Sequence, residues 1–210
     1  MIHAKTNCNL VSSLNVLDAL YYLHNTPLGP RQVSYAHRDI KSGNIMVTLT
    51  GEFALGDFGL CNEATNAGMF QTLNVASPLY KSPDFLQFQW GYNPTYCGYA
   101  LDYWSLGVLL YEAATGTFPF LPFPQEIRLP QVQQVLHDLI LSGSYDETLV
   151  EDVELRAVIR MLLDPNPEQR RKTFVLCITN ICSSYFISCV YHKTYILMFL
   201  CVSQMFLCQL

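Results

Sequence analysis

The sequence predicts a mainly α-helical fold of α+β class, with helices gathered around one buried central helix and a small β-hairpin beside them. Three observations carry this. Leu101-Asp102-Tyr103-Trp104-Ser105-Leu106-Gly107-Val108-Leu109-Leu110-Tyr111 is apolar nearly all round, which suits a helix enclosed on every side. Several flanking stretches repeat apolar residues at helical spacing. One stretch, Ile45-Met46-Val47-Thr48 and Phe53-Ala54-Leu55 on either side of Thr50-Gly51-Glu52, reads as strand, tight turn and returning strand.

In chain order, residues up to about His24 form the first expected helix, with Leu10, Leu14, Leu17 and Tyr21 on its apolar stripe. Asn25 to Tyr35 holds Pro27, Gly29 and Pro30 and reads as an exposed connection. The hairpin follows His37-Arg38-Asp39-Ile40-Lys41-Ser42-Gly43-Asn44 and precedes Asp57-Phe58-Gly59, so it folds Asp57 back beside Asn44. The central helix stops at Thr115-Gly116, glycine being a common helix end. A proline-rich connection, Pro119 to Pro130, leads to a helix with Val132, Val135, Leu136 and Leu139 on one side. The acidic run Asp146 to Glu154 opens another helix. There Thr148-Leu149-Val150-Glu151 has capping-box spacing, and Val153, Val158, Met161 and Leu162 supply apolar contacts.

A lone Asp or Asn in a polar loop is ordinarily a cap or turn former. Asp39, Lys41, Asn44 and Asp57 together are a different matter. Phosphoryl transfer needs a carboxylate to accept a hydroxyl proton, a cation to offset phosphoryl charge, and carboxylate and amide oxygens for Mg²⁺. These four residues supply that inventory in that order.

The same two stretches resemble the signatures H-R-D-L-x-x-x-N and D-F-G of the eukaryotic protein kinases. Lys41, two residues past Asp39, is similar to the serine/threonine class. The resemblance runs from about Leu10 to Lys172 and covers the C-terminal lobe of that fold, with the N-lobe absent. It implies transfer of the ATP γ-phosphoryl group to protein Ser or Thr hydroxyls, with ATP and Mg²⁺ as cofactors. Asp39 would be the base and Lys41 the charge stabiliser, with Asn44 and Asp57 as metal ligands and Met46 under the adenine. His37 and Phe58 would belong to an apolar spine. Asp57 to Asp84 resembles an activation segment, ending in Ala76-Ser77-Pro78-Leu79-Tyr80-Lys81-Ser82-Pro83-Asp84.

Within that resemblance Ser77 sits near Asp39 and Lys41. Thr65 and Thr72 are candidate phosphosites, with an ordinary polar loop threonine as the alternative. Arg38 is either a solvated charge or the partner of a phosphate on the segment. Asp84 stands where the family has Glu and would pair with Arg170; its shorter side chain requires that pair to close up or to bridge through water. Asp102 is a buried carboxylate needing donors, which the resemblance takes from the backbone of the catalytic loop. The alternative is a plain carboxylate at a helix start.

The net charge of −5 argues against nucleic acid or an anionic membrane surface as the main partner. Among eight cysteines, Cys8, Cys61 and Cys97 have no metal-ligand spacing and read as free thiols of a reducing cytoplasm. Residues 1–172 are thus expected to form a partial kinase domain and 173–210 a hydrophobic, Cys-rich tail. In that tail Lys193 is the one formal charge after Phe174. Three readings of it stand: an alternative or mis-spliced end, a membrane anchor, or genuine core. No Gly-x-Gly-x-x-Gly loop or Val-Ala-x-Lys precedes the catalytic loop. The expectation is a kinase that is inactive by itself. The competing class is a catalytically dead isoform that binds partners through its helical lobe.

Overall fold

The computed structural model describes residues 15–28, 32–49, 52–64, 68–121 and 129–172. Leu10, Leu14, Thr65 and the whole tail lie outside the described residues.

The centre is α3, Gly98–Thr115, where every residue from Ala100 to Tyr111 is buried. It ends on Gly116, whose φ of 74° is left-handed backbone that a side chain would strain. The ring of Trp104 stacks on Phe120, 5.2 Å between centroids, deep in the main core. The helix α5, Val153–Leu162, lies directly on α3 because residue 107 is glycine. A Cβ there would stand 2.9 Å from atoms of Leu162 and Leu163.

Helix α1 covers residues 15–25 and buries Val16, Leu17, Ala19, Leu20, Leu23 and His24. The stripe is therefore turned from the expected one: Leu17 lies on it, but Tyr21 is 43% exposed. The cause is the spacing Val16, Leu20, Leu23, His24, an i, i+4, i+7, i+8 row that outcompetes the Leu17–Tyr21 row. The following connection is also less exposed than expected. Leu28 and Val33 form a bridge, with N–H···O distances of 2.9 and 3.3 Å, and both pack on the core.

Three two-stranded sheets hold the site region. The hairpin is β2, Ile45–Val47, antiparallel to β3, Phe53–Leu55, in the register Met46 opposite Ala54. Strand β1, Tyr35–Ala36, pairs with β4, Asn62–Glu63. Strand β5, Met69–Phe70, pairs with β6, Tyr96–Cys97. The last two pairings fasten the segment after Asp57 first to the start of the catalytic loop and then to the start of α3. Helix α2, Pro83–Gln89, packs against β6 and is capped by Ser82, whose Oγ accepts from Phe85 N–H at 3.3 Å.

On α4, Leu129–Ser142, Leu136 and Ile140 are buried among the described side chains, with Val135 and Leu139 half-buried beside them, and the side chain of Val132 lies outside those described. The capping-box reading at Thr148 is corrected. Glu147–Leu149 is a separate 3-10 turn capped by Asp146, and α5 starts later, with Asp152 Oδ1 accepting from Leu155 N–H at 2.9 Å. Starting at Val153 turns Leu155, Ile159 and Leu162 inward and leaves Val153 71% exposed, so that residue is no core contact. Among the described residues no helix is long and apolar enough to cross a membrane.

Candidate active site

The loop from His37 to Asn44 is fastened to α3 at its start by a carboxylate. Asp102 is fully buried, and its Oδ2 accepts from the backbone N–H of His37 at 2.8 Å while Oδ1 accepts from that of Arg38 at 2.6 Å. His24 Nε2 donates to the same Oδ2 at 2.8 Å, and its Nδ1 lies 3.0 Å from the Tyr103 hydroxyl. These donors answer the cost of burying a charge. A helix-start carboxylate would instead cap its own first turn, and Asp102 lies a full turn inside α3.

His37 donates from Nε2 to the Gly56 carbonyl at 3.0 Å, and its Nδ1 accepts from Asp39 N–H at 3.3 Å. Its ring packs against Phe58, centroids 5.0 Å apart. Burial holds the imidazole below its ordinary pKa, against the upward pull of Asp102. Phe58 is only 7% exposed, whereas Met46 is open, at 50%. The covering is local: His37 sits on the Phe58 ring.

Three polar side chains meet at Asp39. Lys41 Nζ lies 2.7 Å from Oδ2, and Asn44 Nδ2 donates to that oxygen at 3.1 Å and to the Asp39 carbonyl at 2.8 Å. The Ser77 hydroxyl donates to Oδ1 at 3.2 Å and receives Lys41 Nζ at 3.3 Å. Asn44 also anchors the hairpin, because its carbonyl accepts from Gly56 N–H at 2.8 Å. That bond brings residue 57 to the same end of the hairpin. Asp57 is exposed, in left-handed backbone with φ of 56°, and its Oδ1 accepts from Gly59 N–H at 3.2 Å. Non-glycine residues seldom adopt that conformation, and Arg38 does so too, with φ of 67°.

Arg38 is not a solvated charge. It is buried, with Nε and Nη2 donating to the Leu60 carbonyl at 2.9 and 2.6 Å. Its Nη1 donates to Thr72 Oγ1 and, at 3.3 Å, to the Tyr96 hydroxyl, and the guanidinium lies 4.7 Å above the Phe70 ring. Thr72 is itself exposed. At the end of the segment, Asp84 and Arg170 make a direct ion pair, so the shorter side chain closes up without a bridging water. Arg170 is fully buried over Trp104 and also donates to the Ala100 carbonyl at 3.2 Å. One cost is visible: Asp84 Oδ2 is buried with no hydrogen-bond partner.

Sequence reasoning overlooked two parts. His24 was legible as the last member of the buried row on α1. The second part, Ser42 with Tyr80 and Glu112, had no pattern to reveal it, since it joins three distant segments. Tyr80 donates to Glu112 Oε2 at 2.5 Å, Ser42 Oγ donates to Oε1 at 3.2 Å, and Ser42 N–H meets the Tyr80 oxygen at 3.3 Å. This ties the catalytic loop to the segment end and to the last turns of α3.

Residues 6–187 match the family model described as protein kinase domain. The NUAK family SNF1-like kinase 2 of Rattus norvegicus is 35% identical over 74% of this chain and 21% of its own length. The RAC-beta serine/threonine-protein kinase of Homo sapiens is 32% identical over 74% of this chain and 28% of its own length. The chain thus spans between about a fifth and somewhat over a quarter of these relatives. A loop suspended from a buried aspartate, a hairpin turning back to Asp57 and a match over most of the sequence agree: the chain belongs to the eukaryotic serine/threonine protein kinase family.

Proposed function

We propose that this chain carries the phosphoryl-transfer side of a serine/threonine protein kinase site, moving the γ-phosphoryl group of ATP to a Ser or Thr hydroxyl of a protein. The supporting observation is the convergence on Asp39 of Lys41 at 2.7 Å, Asn44 at 3.1 Å and Ser77 at 3.2 Å. Asp39 orients the incoming hydroxyl and takes its proton. Lys41 spans Asp39 and Ser77 and offsets phosphoryl charge beside the acceptor. Arg38, already at Thr72, receives a phosphate placed on that hydroxyl. Met46 forms the floor under the adenine.

The metal donor set fits Mg²⁺. The ion favours a few carboxylate and amide oxygens, with phosphate and water filling the rest. Asp57 offers an exposed carboxylate, and the Asn44 side chain is oriented by its Nδ2, which leaves its Oδ1 to serve as ligand. Among the described residues no group of three or more His, Cys, Asp or Glu side chains could hold a metal unaided. That accords with a site completed by nucleotide oxygens. Bound there, Mg²⁺ neutralises charge developing on the transferred group.

The test joins a kinase nucleotide-binding lobe ahead of residue 1. Asp39→Asn and Asp57→Ala should each lower phosphate transfer at least about a hundredfold. Near-normal transfer by Asp57→Ala removes Asp57 from the site. The 210-residue chain alone should show no measurable transfer and no saturable ATP binding at micromolar nucleotide. Positioning supplies nearly all of this catalysis, so a half-built site does not keep half the rate. Radiolabel transfer by that chain, abolished in Asp39→Asn, overturns this.

A second reading, a binding module without catalysis, is supported by the hairpin, where Met46, Val47 and Leu49 are 50%, 63% and 108% exposed. It prevails if the joined protein folds and binds Mg-ATP yet transfers nothing.

A further inference from the structure

The end of the segment carries a charge that phosphoryl transfer leaves unused. Lys81 follows the short 3-10 turn Pro78–Tyr80, four residues past Ser77, whose hydroxyl meets Asp39 at 3.2 Å. Lys81 is half-buried, with its ammonium 5.7 Å from the centre of the Phe85 ring and donating to Gln89 Oε1 at 3.0 Å. Gln89 is held in turn, its Nε2 donating to the Leu73 carbonyl at 3.4 Å. Among the described residues no carboxylate lies within ion-pair distance of Lys81. The acidic side chains of the two neighbouring helices bind elsewhere: Asp84 of α2 pairs with Arg170, and Asp138 of α4 accepts from Gln134 Nε2 at 2.9 Å. His137 of α4 stands close enough to feel the ammonium, and its ring lies against Trp90, 5.1 Å between centroids. Burial lowers the pKa of Lys81, and burial followed by Lys81 lowers that of His137. Where α2 meets α4 there is thus a cation with no counter-charge and, of its three N–H donors, two unused. The free energy spent on part-burying that charge is regained when an anion arrives.

We infer that Lys81 is a specificity-determining residue, which receives an acidic side chain of the protein substrate within about three residues of the acceptor Ser or Thr. This rests on the site reading proposed above, in which the acceptor hydroxyl sits at Asp39. The spacing follows from reach. A 3-10 turn rises about 2.0 Å per residue, so four steps from Ser77 carry the chain about 8 Å. An extended substrate advances about 3.3 Å per residue and covers the same span in two or three residues. Glu or Asp there supplies two charged acceptor oxygens for the two unused donors. Gln supplies one neutral acceptor, and Lys or Arg is repelled.

The experiment titrates the full 210-residue chain with serine peptides, each bearing one Glu at one of the three positions on either side of the serine, and with the matching Gln peptides. Affinity is measured by NMR, with the Gln89 side-chain amide as the local reporter. At one or two adjacent positions Glu should bind about fivefold tighter than Gln and shift that amide, the upper end for an exposed ion pair. Lys81→Met keeps the stem and removes the charge; it should abolish the difference and leave the Gln peptides unchanged. Lys81→Glu should reverse it, so that a Lys peptide binds tighter than the Glu peptide. Equal affinity of Glu and Gln peptides at every position, or no binding of any peptide at millimolar concentration, overturns the inference. A Glu preference that persists in Lys81→Met overturns it too. Should those variants not fold, the Glu–Gln contrast and the Gln89 shift in the natural sequence decide. The kinase reading is separated by the protein joined to a nucleotide-binding lobe. Transfer by that protein at equal rates to Glu and Gln peptides keeps the kinase reading and overturns the role of Lys81. Glu-selective binding without transfer keeps Lys81 as an acidic-peptide site and overturns the kinase reading.

Discussion

Asp102→Asn is the substitution that most directly tests how the catalytic loop is held. The carboxylate serves three donors: His24 Nε2 and His37 N–H on Oδ2, both at 2.8 Å, and Arg38 N–H on Oδ1 at 2.6 Å. Asparagine has one acceptor oxygen. Its better rotamer keeps that oxygen where Oδ2 was, so the amide NH₂ then faces the Arg38 N–H, donor against donor. A hydrogen bond to a charged acceptor contributes about 1.5–3 kcal/mol, and a buried donor left unpaired costs about 1–3 kcal/mol. One bond is lost, two lose their charge, and these terms overlap, so about 3 kcal/mol is the expected destabilisation. That is about a hundredfold in the folding equilibrium, and a large part of the 5–15 kcal/mol typical of a domain. Urea unfolding followed by far-UV circular dichroism measures it from the midpoint at unchanged slope. A loss below about 1 kcal/mol would refute the reasoning, and would mean that the loop is held by its β pairings and by the Ser42–Tyr80–Glu112 link.

Asp84→Glu restores the missing methylene and lets the second carboxylate oxygen reach the Arg170 guanidinium, so stability should rise by about 0.5–1.5 kcal/mol; an unchanged or lower urea midpoint defeats this. His37 should make stability fall with acid. Burial lowers its pKa from the ordinary 6.5, so below that pH the unfolded chain takes up protons that the folded state resists. The contribution is complete above pH 6.5 and is lost as pH falls. His137, lowered first by burial and then by Lys81, acts in the same direction. His37→Phe should flatten the stability–pH curve between about pH 7 and 5, and an unaltered slope removes His37 as its source. Arg38→Lys should loosen the segment, because Lys cannot donate at once to the Leu60 carbonyl, Thr72 and Tyr96. Faster hydrogen exchange at residues 69–75 is the measurement, and unaltered protection there counts against the clamp.

The sequence by itself determined the local units. Leu101 to Tyr111 had to be an enclosed helix because no face of it is polar, and Gly116 had to end it. The runs at 45–48 and 53–55 had to pair because the turn between them is short, and that pairing brings Asp57 to the Asn44 end. The spacing of Asp39, Lys41 and Asn44 placed three groups of one site within a single loop. All of these follow from neighbours along the chain, whose geometry is set by backbone sterics and hydrogen bonding.

Only the tertiary structure decided which face or partner each unit uses. The stripe of α1 was ambiguous because Leu17 lies between two overlapping helical rows, and packing against α3 selected Val16, Leu20, Leu23 and His24. The start of α5 moved from Thr148 to Asp152, since several acidic and hydroxyl residues in that run could cap a helix and burial of Leu155 chose among them. Arg38 carries a charge that solvent would accept equally well; its place beside Leu60, Thr72 and Tyr96 depends on strand pairings 20 and more residues away in the chain. The Asp84–Arg170 pair spans 86 residues, and whether one methylene fewer breaks it depends on how closely α2 approaches the stretch after α5. Such contacts have no period in the sequence, because they are set by the packing of elements on α3.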